Sequence, residues 1–475
     1  MTNNSLKKNV TFIEAMAIVI GMIIGSGIFL KPATVLQNAG SPLMAILAWV
    51  ISGIITLASA LSIAEIAAAI PKAGGLYTYL TELYGETFGF LLGWVQTIIS
   101  YPASVAAQAI AFATYASFFV TMNSIQQKIL AVAVLAFILL MNVLSTKYGG
   151  VIQTAATIGK LVPIAAIILF GLIKGSSSFG ITESIINPSA PSAGFGAAML
   201  GTLWAYEGWI SVTNMAAELK NPTRDLPKVI SFGVIFVIAV YAIFNLAIFK
   251  ALPLEQVVTS ETAAADAAVA LFGNKGAMFI TAGIMVSVFG ALNGFLMTGA
   301  RIPYSMGENK MLPFSGVLSK IHPKFQTPAN SLIIESVLAI VYIMSGTFNT
   351  LTDLLVFVLW IFFVMGVYGV FILRKKYPQE KGLYKVPLYP VTPIIGIVGG
   401  AYILISTIID NPKNSLIGIA ITLIGLPVYY YINKKNNNKK VKTKSRYAFY
   451  FYKISVINLS YLKYLSSILL LLCLM

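Results

Sequence analysis

Gly21-Met22-Ile23-Ile24-Gly25-Ser26-Gly27-Ile28-Phe29 lies in the middle of the first long apolar stretch of the chain, residues 11–36. Three glycines and a serine weaken a helix at a depth where hydrocarbon offers backbone amides no partner. Non-helical backbone survives there only when buried in protein or lining a cavity. The stretch is therefore expected to unwind. Unwinding frees the first amides of the outer half-helix, which together with the positive end of its dipole suit a carboxylate, and Ser26 adds a hydroxyl. The carbonyls left unpaired at the end of the inner half-helix, near Ile23, suit an ammonium group. Together they describe the headgroup of an α-amino acid. Gly21-x-x-x-Gly25 also fits a helix-packing face, but the contiguous Gly-Ser-Gly and a second break further on favour a site.

The whole chain is built to lie in lipid. Of its 475 residues 58% are hydrophobic and 10% charged, and the mean hydropathy is +0.84, which describes a polytopic membrane protein rather than a string of soluble domains. Stretches long enough to span fall at 11–36, 43–70, 87–120, 126–145, 151–173, 195–219, 229–250, 277–300, 329–346, 351–373, 391–409 and 414–433, so twelve crossings are expected. The short polar N-terminus with Lys7 and Lys8 does not read as a cleaved leader. A net charge of +16 invites a nucleic-acid partner, but its distribution does not support one. With the N-terminus in the cytoplasm, 25 of the 32 Lys and Arg fall on that side, six on the other, Lys31 among them, and Lys160 within a span. This obeys the positive-inside rule and places both termini in the cytoplasm of a cell-membrane protein. One cysteine, Cys473, and one histidine, His322, leave no internal disulfide, no metal ligand set and no Cys/His nucleophile, so neither cofactor nor enzyme is expected.

The second interruption is Trp204-Ala205-Tyr206-Glu207-Gly208-Trp209, in the sixth span. Five spans separate it from the first, so spans 1–5 and 6–10 enter the membrane from opposite sides and form an inverted repeat with broken helices 1 and 6 facing one another. Glu207 is an ionisable residue deep in its span, where a charge costs about 2.5–3.5 kcal/mol. It can contact a cationic substrate group, hold a proton, or hydrogen-bond the unwound backbone. Trp204 reads as an aromatic gate or as packing. Lys160 sits about 13 Å into span 5 at 1.5 Å per residue, too deep to snorkel. It can tie span 5 to the broken part of span 1 and to span 8, or be wetted by a vestibule. Glu14, Glu65 and Glu218 lie near cytoplasmic span ends, solvated or paired with Lys and Arg, and Asn293 is placed to bond a neighbouring helix or to line the pathway. Glu335 and Asp353 have no assigned role. The turn at 71–75 is an interfacial loop or part of an inner gate, and residues 434–446 form a basic stretch that is solvated or rests on anionic lipid.

These residues resemble the amino acid–polyamine–organocation superfamily, in the branch of L-type amino acid transporters and bacterial serine/threonine exchangers. The resemblance runs from about residue 8 to 433 and is carried by Gly21–Phe29, by Glu65 with Pro71-Lys-Ala-Gly-Gly75 and Tyr77, by Trp204–Trp209, by Glu218-Leu-Lys-Asn-Pro222 and by Tyr384-Lys-Val-Pro-Leu-Tyr-Pro390. It implies an all-α, five-plus-five inverted-repeat transporter domain over 1–433, with repeats at 11–173 and 195–373, peripheral helices at 391–433 and a cytoplasmic tail at 434–475. The substrate residues it implies are Ile23, Gly25, Ser26, Gly27, Trp204, Ala205 and Glu207. Amides at Ser26 and Gly27 would hold the carboxylate, and carbonyls at Ile23, Trp204 and Glu207 the amine. Trp204 and Glu207 are gating or coupling positions, and Lys160 takes the place associated with sodium independence. The expected activity is sodium-independent exchange of neutral amino acids by alternating access. Proton-coupled symport, a cationic amino acid or polyamine carrier, and a membrane amino acid sensor stay open. Residues 121–127 hold no cysteine, where relatives joined to a heavy subunit carry one, so no disulfide-linked partner is expected.

Overall fold

A computed structural model of the chain describes residues 12–70, 75–144, 159–185, 194–210, 221–376 and 383–435, and among them the regular structure is helical, with no strand. The first apolar stretch is two helices, α1 (Phe12–Ile23) and α2 (Gly27–Ala39), parted by an unwound turn at 24–26. α2 stops at Gly40, whose left-handed backbone (φ 74°) lets its amide return to the Leu36 carbonyl. α3 (Pro42–Ala69) starts at once: Ser41 Oγ accepts the Met44 amide at 3.3 Å, and Pro42 stands in the first turn, where its missing N–H costs nothing.

There follow α4 (Gly75–Tyr84), α5 (Glu86–Ala116), α6 (Ser124–Leu144), α7 (Leu161–Lys174) and α8 (Phe195–Ala205), the last running into a turn at 206–210. The second half holds α9 (Pro222–Ala251), α10 (Leu254–Thr259), α11 (Ala263–Gly299), α12 (Arg301–Glu308), α13 (Ser315–Leu318), α14 (Ala329–Ser345), α15 (Phe348–Lys376), α16 (Val391–Asp410) and α17 (Pro412–Lys435). α5 contains a π-helical turn, Gln96–Ser100. Pro102 has no N–H to give the carbonyl of Ile98 four residues back, and the Tyr342 hydroxyl of α14 donates to that carbonyl instead, at 2.9 Å.

Of the twelve expected crossings, eight described helices are long and apolar enough to cross alone, while α7, α8 and α14 are shorter apolar helices. Residues 151–158 of the fifth expected span and 211–219 of the sixth lie outside the described residues, as do the loop 71–74, Glu218 and the tail from 436. The outward surface carries Ile125, Phe137, Phe279, Val398 and Ile409, all exposed, an apolar exterior for which lipid is the matching solvent. α5 is the most enclosed spanning helix, whereas α6, α16 and α17 are the least buried.

Each end of the bundle is tied down. At one end the segment 175–185 joins the tops of three helices: Leu43 N donates to Ile181 O (2.8 Å), Ile185 N to Gly40 O (2.8 Å) and Ser177 N to Lys250 O (3.0 Å). At the other end Glu65, 3% exposed, receives both Arg374 Nε (2.8 Å) and Nη2 (2.9 Å) and the Val386 amide (2.7 Å). The Arg374 guanidinium also stacks 3.6 Å from the Tyr389 ring centroid. The Tyr384–Pro390 signature thus folds a polar segment back over the ends of α3 and α15, and Glu65 is paired rather than solvated.

Candidate substrate site between the broken helices

The two interruptions meet. A Cβ on Gly27, the first residue of α2, would stand 2.5 Å from Ala205 Cα and 2.6 Å from Ala205 Cβ, at the end of α8. Gly208 has φ +109°, and a Cβ there would stand 2.7 Å from the Met22 carbonyl oxygen. Both glycines are needed because backbone passes over backbone at these points.

The freed carbonyls of α1 are the ones a continuous helix would spend on residues 25 and 28. Lys160, fully buried, donates to Gly21 O at 2.5 Å and to Ile24 O at 2.8 Å. This is the expected tie from span 5 to the break in span 1; no hydrogen bond from Lys160 to α11 in span 8 occurs among the described residues. The carbonyl of Ile23 faces Tyr241 of α9, whose hydroxyl lies 3.0 Å from Ile23 O and 2.7 Å from Ala205 O. That hydroxyl has one proton, so it serves one broken end at a time. Trp49 packs against both Tyr206 (6.3 Å between centroids) and Tyr241 (5.2 Å). Tyr206 donates to Trp49 O at 2.9 Å, pinning the second break to α3.

On the amide side, the Phe29 and Leu30 N–H groups close onto Ser26 O at 3.1 and 3.0 Å. The amides of Gly25, Ser26, Gly27 and Ile28 donate to no backbone carbonyl among the described residues, as at any helix start. They border a void of about 10 Å³ lined by Gly25, Ser26, Gln108, Trp204, Glu207 and Phe295. Such a space holds a single water rather than an amino acid. Around it Ser26 Oγ, Gln108 Oε1 and Trp204 Nε1 are buried and without a hydrogen-bond partner. Buried polar atoms are nearly always satisfied, so three together mark a place built for polar company. Ile23 and Trp204 also line it, and Glu207 N donates to Trp204 O at 3.0 Å.

Trp204 is the lid. Its indole is 3% exposed, stacked on Phe295 (6.1 Å, 17°) and met edge-on by Phe348 of α15 (6.1 Å, 82°). Beyond Phe348 opens a cavity of about 430 Å³, bordered by Leu30, Gln37, Lys128, Glu261 and Asn349. Lys31, assigned by charge counting to the outer aqueous side, is instead fully buried. Its ammonium donates to Thr352 Oγ1 (2.8 Å) and Asn349 Oδ1 (2.9 Å), pairs with Asp353 (3.3 Å) and sits 5.3 Å from the Phe348 ring centroid. The break explains the difference: once residues 24–26 unwind, Lys31 falls in the second turn of an enclosed half-helix rather than at the end of a continuous span. Lys160 is accordingly not the sole basic residue deep in the bundle.

Sequence reasoning assembled Ile23, Gly25, Ser26, Gly27, Trp204, Ala205, Glu207 and Lys160, and all eight converge on this junction. It missed Tyr241, Gln108 and Phe295, uncharged members of apolar spans whose only signal is a polar or aromatic group at mid-span. Asn293, expected to bond a neighbouring helix, accepts from Asn142 Nδ2 at 2.8 Å.

Comparison with known proteins agrees over nearly the whole chain. The amino acid permease family profile matches residues 10–462. The serine/threonine exchanger SteT of Bacillus subtilis (strain 168) is 43% identical over 434 residues, covering 91% of this chain and 98% of that protein. The b(0,+)-type amino acid transporter 1 of Mus musculus is 31% identical over 91% of this chain and 89% of its own length. The large neutral amino acids transporter small subunit 2 of Homo sapiens is 32% identical over 90% and 80%. Matched from end to end of its apolar core, and folded as a multi-pass helical membrane protein, this chain belongs to the amino acid permease family.

Proposed function

We propose that the chain is a sodium-independent exchanger of neutral amino acids in the cell membrane, with both termini cytoplasmic, working by alternating access around the two broken helices. The observation that carries this reading is the junction itself: unpaired amides on α2, buried and unsatisfied Ser26, Gln108 and Trp204 atoms, and carbonyls of the opposing segment, all around one point. A carboxylate would take the amides of Ser26 and Gly27, and an ammonium the carbonyls of Ile23, Ala205 and Trp204. A bound ammonium would compete with the Tyr241 hydroxyl for Ile23 and Ala205, so Tyr241 would change partner as substrate arrives. Lys160 would neutralise the carbonyls that a sodium ion holds in sodium-driven relatives of this architecture. Trp204 with Phe348 would close the outer side, and the Lys31–Asp353 pair would lock it. The five-plus-five repeat and the peripheral placement of α16 and α17 belong to this reading.

Glu207 favours a second cargo class. It lines the void, so a cationic side chain would find a carboxylate there. Counterflow separates the readings: vesicles holding reconstituted protein and unlabelled serine should take up labelled serine without sodium. Exchange of arginine but not serine would favour the cationic reading, and no exchange of any amino acid would refute transport. No covalently attached subunit is required for this activity in reconstituted protein.

A further inference from the structure

Glu335, in the second turn of α14, is 2% exposed, and neither of its carboxylate oxygens has a hydrogen-bond partner; the hydroxyl of Ser336 beside it is also unpartnered. Its Oε1 would stand 2.2 Å from a Cβ on Gly299, and Tyr101 Cβ 2.7 Å from the same point, so carboxyl and tyrosine crowd one bare stretch of α11. The π-helical turn of α5 ends at Ser100, directly before Tyr101, and such turns inside helices gather at functional sites. Two turns further along α14, Tyr342 holds that π-turn through Ile98, so one face of α14 governs this local geometry.

The charged neighbours are few. Tyr101 shares the space at Gly299 with Glu335, and Arg301, two residues beyond Gly299, is exposed at the start of α12. Among the other groups on helices packed against α14, Lys128 of α6 is at the far end, bound to Met344 O. Asp266 of α11 is at that far end too, bound to Ser260, and Lys275 of α11 is exposed. Tyr304 and Glu308 of α12 bond each other, and α13 has no titratable group. Among the described residues no cation pairs with Glu335. An ionised carboxylate with neither oxygen bonded is not sustainable in a dry helix interface; the group neutralises instead.

We propose that Glu335 is a proton-binding site of the transport cycle, loaded in this closed conformation and enclosed with Tyr101 against Gly299. The step is a simple transfer: hydronium gives its proton to the Glu335 carboxylate, leaving water and a carboxylic acid, and release on the Arg301 side reverses it. The proton enters with the amino acid and is released inside, and the carrier returns empty only with Glu335 unloaded, which adds net uptake to exchange. This rests on the transport reading above and deepens it.

The test uses full-length protein in vesicles free of amino acid, with the outside one pH unit more acid. One unit is tenfold in proton concentration, so wild type should accumulate labelled serine toward about tenfold. Glu335→Gln, which keeps the shape and cannot release a proton, should lose this accumulation while keeping exchange at symmetric pH, and Glu335→Asp should restore it. No gradient-driven accumulation by wild type, or accumulation by Glu335→Gln equal to wild type, overturns the proposal. Absence of exchange at symmetric pH in wild type counts against the transport reading itself. Should Glu335→Gln fail to fold, infrared spectroscopy of wild type decides: a carbonyl band of an unbonded protonated carboxylic acid supports the site, and its absence overturns it.

Discussion

Alanine at Gly25 and alanine at Gly27 are the same chemical change two residues apart, and the geometry gives them different fates. At Gly25 a new Cβ meets Gln108 Nε2 at 3.4 Å and Ala291 Cβ at 3.7 Å, ordinary contacts, and the backbone is not left-handed. The fold should accept it. The methyl group would nevertheless stand at the rim of the substrate void, where one carbon too many in a fitted pocket is worth about 1–3 kcal/mol, or roughly 10–200-fold in affinity. At Gly27 the obstacle is Ala205 main chain, Cα at 2.5 Å and N at 3.1 Å, which no rotamer change relieves. The broken helices must separate, an overpacking cost of about 1–3 kcal/mol in stability. Gly25→Ala should therefore melt within a degree or two of wild type yet bind serine at least about tenfold more weakly, while Gly27→Ala should melt lower. Thermal unfolding in detergent with and without serine, beside counterflow in vesicles, reads both quantities. Wild-type affinity and exchange in Gly25→Ala would refute the placement of substrate beside that residue.

Four other outcomes follow from contacts already described. Lys160→Met should leave the Gly21 and Ile24 carbonyls buried and unpaired, at about 1–3 kcal/mol each, and abolish exchange; unchanged melting and exchange would remove Lys160 from the account. Lys31→Met and Asp353→Asn should each destabilise the outer closure, with a coupling of about 0.5–3 kcal/mol in a double-mutant cycle; strict additivity in thermal unfolding would show that the pair does not act together. Arg374→Ala should cost about 3 kcal/mol by stranding the enclosed Glu65, and Arg374→Lys should recover little of it because one ammonium cannot replace the two-pronged contact. Glu207→Ala should spare serine exchange and remove any arginine exchange; equal loss of both would make Glu207 a structural or proton-linked carboxylate.

Much of this site can be read from residue order because its parts break local rules. A Gly-Ser-Gly in an apolar span, a glutamate and two tryptophans around a second glycine, and a lysine far from either interface are each costly in lipid unless something answers them, and the structure brings those answers together. Tyr241, Gln108 and Phe295 obey the rules of their helices, and nothing in a linear pattern says which side of α9, α5 or α11 faces the junction. Lys31 and Asp353 are separated by 322 positions, and their pairing depends on how far the first helix unwinds. Glu335 has no role legible in the sequence, and its isolation is visible only once Tyr101 and Gly299 are seen to fill the space around it. The number of crossings is the least legible feature, because half-helices such as α1, α2 and α8 are too short to register singly by length.

The central claim is that an amino acid is held where the main chain opens at residues 24–26 and 206–210, its carboxylate on the amides of Ser26 and Gly27. A density map of the protein bound to serine tests this most directly. The account predicts serine between α2 and the 206–210 turn, with the Trp204 indole displaced to make room; serine lodged elsewhere, or both segments drawn as unbroken helices, would contradict it.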